Sequence, residues 1–192
     1  MNAGTPPPMR ADARRNRARV LEAAQAAFAA DGLLVPLDEI ARRAGVGAGT
    51  VYRHFPTKEA LFDAVILHRV QSLVEEARAL SAAADPGAAF FGFISRMSAE
   101  SVAKKDLTDA LAGIGIDVTA NLTEVNRELW SAIADLLVRA QQSGAARRDV
   151  GIDELRVLMR ALFLATSQRD PGDEGLAARA VAVVCDGLRA CA

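Results

Sequence analysis

Aromatic side chains are scarce in this 192-residue chain: one Trp, one Tyr and seven Phe, 5% of the total. β-branched and aromatic runs are sparse too, and much of the 51% apolar share is Ala. Ala, Leu, Arg and Glu are good helix formers, so the composition favours an all-α protein. No stretch approaches the roughly 18 uncharged apolar residues that a bilayer span needs. Residues Met1 to Met9 lack the apolar core and cleavage-like site of a secretory signal. Together these absences make a cytoplasmic protein without a membrane partner the expectation. Cysteine is limited to Cys185 and Cys191, and no His or acidic cluster completes a metal set with them. They read as small apolar residues in a reducing compartment. Histidine is limited to His54 and His68, without a Ser/His/Asp, Cys/His or metal spacing around them. No catalytic residue, no metal and no cofactor is therefore expected, and the chain does not read as an enzyme.

What is present is unevenly spread. The formal net charge is −1, yet Met1 to Lys58 carries nine basic and five acidic side chains, and the remainder is acidic by five. A basic N-terminal third on an acidic body suggests that one end meets a polyanion.

Helix punctuation divides the chain. Met1 to Met9, with Pro6-Pro7-Pro8, reads as a flexible arm. Helical patterning begins near Arg10, with Val20, Leu21, Ala24, Ala27 and Phe28 on one stripe and a stop at Asp31-Gly32. Two short helices follow, about Leu37 to Ala44 and Ala48 to Phe55, the second closed by Pro56. Thr57 caps a long helix reaching about Leu80, and Asp85-Pro86 opens another through Phe90, Ile94 and Met97. A short helix from Asp106 towards Ala112, a long one over about Asn121 to Gln142, and two more over about Asp153 to Ser167 and Asp173 to Arg189 bring the expectation to nine helices without a strand. The expected organisation is an arm at 1–9, a three-helix N-terminal domain at 10–56, and a helical C-terminal domain at 57–192.

The segment Leu37 to Phe55 carries the functional signal. Two short helices joined by a Gly-containing turn cross steeply, which requires a small residue at the contact and apolar residues inside. Ala41 supplies the first, Ile40, Val46 and Val51 the second, and Gly45 permits a positive backbone angle. The second helix can then lie in a major groove, with Thr50, Tyr52, Arg53 and His54 towards phosphates and bases. Lys58 opens the next helix, where a cation and free N–H groups can hold a phosphate. The run Gly45-Val46-Gly47-Ala48-Gly49 imitates a dinucleotide-binding loop, but that loop needs a preceding strand and here a short charged helix precedes it.

Residues 14 to 62 resemble the DNA-binding domain of the TetR family of bacterial regulators. The pattern Ile40-Ala41-x-x-Ala44-Gly45-Val46-x-x-Gly49-Thr50-Val51-Tyr52-x-His54-Phe55-x-x-Lys58-Glu59-x-Leu61 follows the family almost throughout. By that resemblance, Thr50, Tyr52, His54 and Lys58 would clamp the phosphate backbone, while Ala48, Gly49 and Arg53 would sit at or near base edges. Gly47 departs from the Ser of many members, so the cap of the second helix is weakened. Arg10, Arg14, Arg15, Arg17 and Arg19 crowd the start of the first helix, where basic charge opposes the helix dipole. Arg14, Arg15 and Arg17 are therefore further candidates for contact with DNA, against the plain reading of a solvated helix end.

In TetR-like proteins the C-terminal helices form a ligand pocket and a homodimer interface. Candidate pocket residues are His68, Phe91, Ile94, Met97, Leu111, Ile114, Asn126, Trp130 and Phe163, with Arg96 and Gln141 as further polar anchors. This mostly apolar set points to an apolar or aromatic small-molecule effector, although an apolar stripe at helical spacing is more often plain core. Candidate interface residues are Leu155, Leu158, Met159, Leu162 and Thr166 on one helix and Leu176, Ala180, Val181, Val184 and Leu188 on the other. The resulting expectation is a ligand-responsive repressor that binds a near-palindromic double-stranded operator as a homodimer. An activator of the same family, or a helical small-molecule-binding protein with no DNA role, are the alternatives.

Overall fold

The computed structural model describes residues 8–32, 34–98, 123–166 and 175–190. Among them are eight helices: α1 (Pro8–Asp31), α2 (Leu37–Ala44), α3 (Ala48–His54), α4 (Lys58–Leu80), α5 (86–98), α6 (Thr123–Gln142), α7 (Ile152–Thr166) and α8 (Leu176–Leu188). The fold is all-α, and no strand occurs among the described residues, where one isolated antiparallel bridge joins Ala146 to Arg189. The helix expected from Asp106, with Leu111 and Ile114, lies outside the described residues, as do most of the N-terminal arm and Cys191. The side chains of Phe163 and Thr166 lie outside them as well. The chain divides into two compact units, Met1–Arg69 and Val70–Ala192.

In the first unit α1 packs on α2 and α3, and α2 packs on α3. The stripe Val20, Leu21, Ala24, Ala27 and Phe28 is buried, as its spacing demands. It joins Ile40, Ala41, Val51, Leu61 and Phe62 in the core, where the Phe28 and Phe62 rings lie 5.9 Å apart. Burying a side chain such as Phe62 contributes roughly 1.5–3 kcal/mol. Thr57 caps α4 through its Oγ1, which accepts the Ala60 N–H at 3.2 Å.

In the second unit the Asp85-Pro86 start is a working cap: the Asp85 carboxylate accepts the Ala88 N–H at 2.9 Å. The helix it opens buries Phe90, Phe91, Phe93, Ile94 and Met97. α6 contributes Leu129, Ile133, Leu136 and Leu137, α7 packs on both α6 and α8, and Arg78 pairs with Glu128 at 2.8 Å. The end of α8 is tied down by backbone pairing. Arg147 N–H donates to the Leu188 carbonyl (2.9 Å) and Ala190 N–H to that of Ala145 (3.1 Å), while the Arg189 guanidinium lies 4.4 Å over the Phe91 ring. No helix among the described residues is long and apolar enough to cross a membrane.

Candidate nucleic-acid interface

The turn between α2 and α3 is built by backbone chemistry. Gly45 adopts φ 63°, ψ 38°, the left-handed region that a Cβ disfavours. Its N–H donates to the Arg42 carbonyl (3.1 Å), and Val46 N–H donates to that of Ala41 (3.1 Å). These paired bonds close α2 as a Schellman motif and satisfy two of its terminal carbonyls. Gly47 then precedes α3 in extended conformation and offers no side-chain cap. Its carbonyl accepts the Thr50 N–H at 2.8 Å. Val51 is the buried residue of α3, so most of this helix faces outwards.

None of the residues assigned to DNA contact is buried. Arg14, Arg15, Arg17, Ala48, Gly49, Tyr52 and Arg53 are exposed, and Thr50, His54 and Lys58 are half-buried. Tyr52 keeps 47% of its surface, unusual for an aromatic side chain in a protein with so few. Partial burial lowers the pKa of the Lys58 ammonium, and neighbouring Glu59 opposes that shift.

Charge on α2 is organised differently. Glu39 receives both Arg42 nitrogens at 2.7 Å and Arg43 Nε at 2.8 Å, and Arg43 also meets Asp31 of α1 at 2.6 Å. The two guanidiniums hold the Glu39 carboxyl far below its ordinary range, from 4.5 to about 2. This network occupies the cations of α2 and leaves α3 to present Arg53.

The α1 arginines are more engaged than their sequence position suggested. Arg15 pairs with Asp12. The Arg17 guanidinium lies 5.4 Å over the Phe55 ring, and Arg19 Nη2 donates to the Gly45 carbonyl at 3.2 Å. Sequence reasoning missed the last two contacts, which join residues 38 and 26 positions apart and leave no periodic trace. The Glu39 network was readable, since Arg42 and Arg43 stand three and four residues after Glu39 on one helix face.

Residues 20–65 match the profile of bacterial regulatory proteins of the tetR family, and residues 85–190 match that of the SbtR-like transcriptional regulator C-terminal domain. The chain belongs to the TetR family. Its structure is similar to that of a TetR transcription regulatory protein from Mycobacterium vanbaalenii, with 46% identity over 95% of this chain and 99% of that one and a TM-score of 0.77. It is also 26% identical to the transcriptional repressor KstR2 of Rhodococcus jostii, covering 96% of this chain and 97% of that protein. The regulator TtgW of Pseudomonas putida shares 42% identity over 64 residues, 33% of this chain and about half (48%) of that protein. This TetR-family protein is a DNA-binding helix-turn-helix transcription regulator.

In the C-terminal unit of this regulator, Phe91, Ile94 and Met97 lie buried together on α5. Trp130 is half-buried beneath the Arg156 guanidinium at 5.3 Å, Asn126 is exposed, and His68, on α4 in the first unit, is half-buried. Gln141, read as a polar anchor, spends its amide on the carbonyls of Arg147 (3.0 Å) and Val150 (2.8 Å), and Arg96 is paired with Glu76. Among the residues read as interface, Leu155, Met159, Val181 and Leu188 are buried within the chain's own core. Leu158 and Leu176 are exposed, while Leu162, Ala180 and Val184 are half-buried. Both stripes are amphipathic, and two residues of each are used internally. Two further exposed apolar residues, Val157 (68%) and Val183 (71%), were missed.

Proposed function

We propose that this regulator is a ligand-responsive repressor that binds a near-palindromic operator as a homodimer, with α3 as the reading helix. The observation carrying this reading is α3 itself, a helix with one buried residue and with Ala48, Gly49, Tyr52 and Arg53 exposed. Tyr52, Thr50, His54 and Lys58 hold phosphates, while Ala48, Gly49 and Arg53 stand at base edges. Ala48 offers only a methyl, suited to a thymine methyl. Arg14 and Arg15 lie at the exposed start of α1 and add charge near the backbone. Full-length similarity to a protein described as a transcriptional repressor favours repression over activation.

Dimerisation supplies the second reading helix, about 34 Å away for half-sites one helical turn apart. The exposed apolar residues Val157, Leu158, Leu176 and Val183 of α7 and α8 are the surface for it, forming an isologous four-helix bundle with a second copy. Effector binding beside Phe91, Ile94 and Met97 shifts the balance between DNA-competent and released states by its differential affinity for the two. An apolar or aromatic effector suits these walls. Tyr52→Ala or Lys58→Ala lowers affinity for a selected operator duplex roughly tenfold while mass and helicity stay unchanged. A gel-shift titration with analytical ultracentrifugation checks both. Unaltered affinity in both variants would remove α3 from the reading role.

A further inference from the structure

We propose that Arg17 and Arg19 form a two-point clamp that sets the pose of α3, and that neither acts as a phosphate ligand. The proposal rests on α3 being the reading helix and adds how that helix is held. A seven-residue helix is marginal by itself, and Gly47 gives α3 no side-chain cap. Support must come from outside, and α1 supplies it at both ends. Before α3, Arg19 Nη2 reaches the Gly45 carbonyl, left free by the bonds that close α2 through the Gly45 and Val46 N–H groups. After α3, the Arg17 guanidinium covers the ring of Phe55, which is only 3% exposed and ends the helix.

Position 45 records the first contact. A Cβ built on Gly45 would stand 2.5 Å from Arg19 Nη2, so the guanidinium occupies the space a side chain would need. Glycine there serves the left-handed turn, and a side chain in its place would push the Arg19 guanidinium aside. Arg19 meets the carbonyl at the C-terminal end of α2, where a cation is favoured. The planar guanidinium suits both tasks, stacking on a ring at one point and donating in a fixed direction at the other.

The test separates a clamp from a phosphate contact. Arg17→Met and Arg19→Gln are titrated against a duplex of about 30 base pairs, selected by the unaltered protein from a random pool, and against an unselected duplex. Each variant is expected to lose about fivefold in affinity for the selected duplex. Unselected duplex binding and the slope of log K against log salt are expected to stay unchanged. A slope reduced by about one per arginine, with both duplexes weakened alike, overturns the proposal in favour of phosphate neutralisation. Hydrogen exchange on the free protein gives the second readout, with faster exchange expected at the Val51–His54 amides and unchanged exchange at Ile40–Ala44. Unchanged exchange in α3 overturns the clamp alone. Faster exchange with unaltered binding to both duplexes overturns α3 as the reading helix, and this proposal with it. If the neutral variants do not fold, Arg17→Lys and Arg19→Lys carry the same test with charge retained: a phosphate ligand keeps its affinity, a clamp loses it.

Discussion

Two helices of this regulator, α3 and α5, are held in opposite ways. α5 carries its own instructions: Asp85 caps it, Pro86 occupies its first position, and its phenylalanines fill the core. α3 carries almost none, having a glycine in place of a cap and Val51 as its buried residue. What an anchored helix gains in stability it loses in surface, because Phe90, Phe93 and Ile94 are fully enclosed. A helix left nearly bare keeps its side chains for another molecule and must be fixed by its neighbours. The contrast separates a part built to stay from a part built to be presented.

The comparison can be broken most severely at α5. Phe93→Ala should destabilise the C-terminal unit by about 3–5 kcal/mol, through lost burial and the cavity left behind. A urea melt followed by Trp130 fluorescence checks this, and a loss below about 1 kcal/mol would show that packing is not what holds α5. Asp85→Ala should cost about 1 kcal/mol by removing the cap, read from the same transition. Gly47→Ser sharpens the contrast from the other side. A Cβ there would meet nothing closer than Thr50 Oγ1 at 4.0 Å, and its φ of −68° suits any residue. The added hydroxyl should stabilise α3 by a few tenths to about 1 kcal/mol, visible as slower amide exchange.

The smallest expected effect concerns pH. Glu39 is held at about 2 when folded, so its contribution is fully present above the ordinary carboxylate pKa of about 4.3 and is lost as pH falls through about 2. Thermal melts between pH 6 and pH 2 should therefore decline less steeply for Glu39→Gln than for the parent. Parallel curves would mean that the exposed Arg42 and Arg43 pairs are screened to insignificance.

Much of this architecture was legible because its signals are local. Gly45, Asp31-Gly32, Thr57 and Asp85-Pro86 each act within a few residues of themselves, and the structure places the corresponding helix ends within two residues of expectation. The exposed face of α3 was legible for the same reason, since period and turn chemistry expose Tyr52 and Arg53 while burying Val51. Periodicity says that a face is apolar without saying what covers it. Hence Leu155 and Val181, read as interface residues, are buried in the chain's own core, and the exposed Val157 and Val183 went unnoticed. The contacts of Arg17 and Arg19 depend on the fold bringing α1 to α3, which no spacing encodes.

The pairing of Ala146 with Arg189 has a mechanical consequence. A helix normally frays from its ends, one residue at a time. Here tension applied at residue 190 would meet the hydrogen bonds to Ala145 and Arg147 and the Arg189–Phe91 stack before α8 could unwind. Force entering there is delivered to α5 and to the chain after α6, so α8 resists peeling as a knotted cord does.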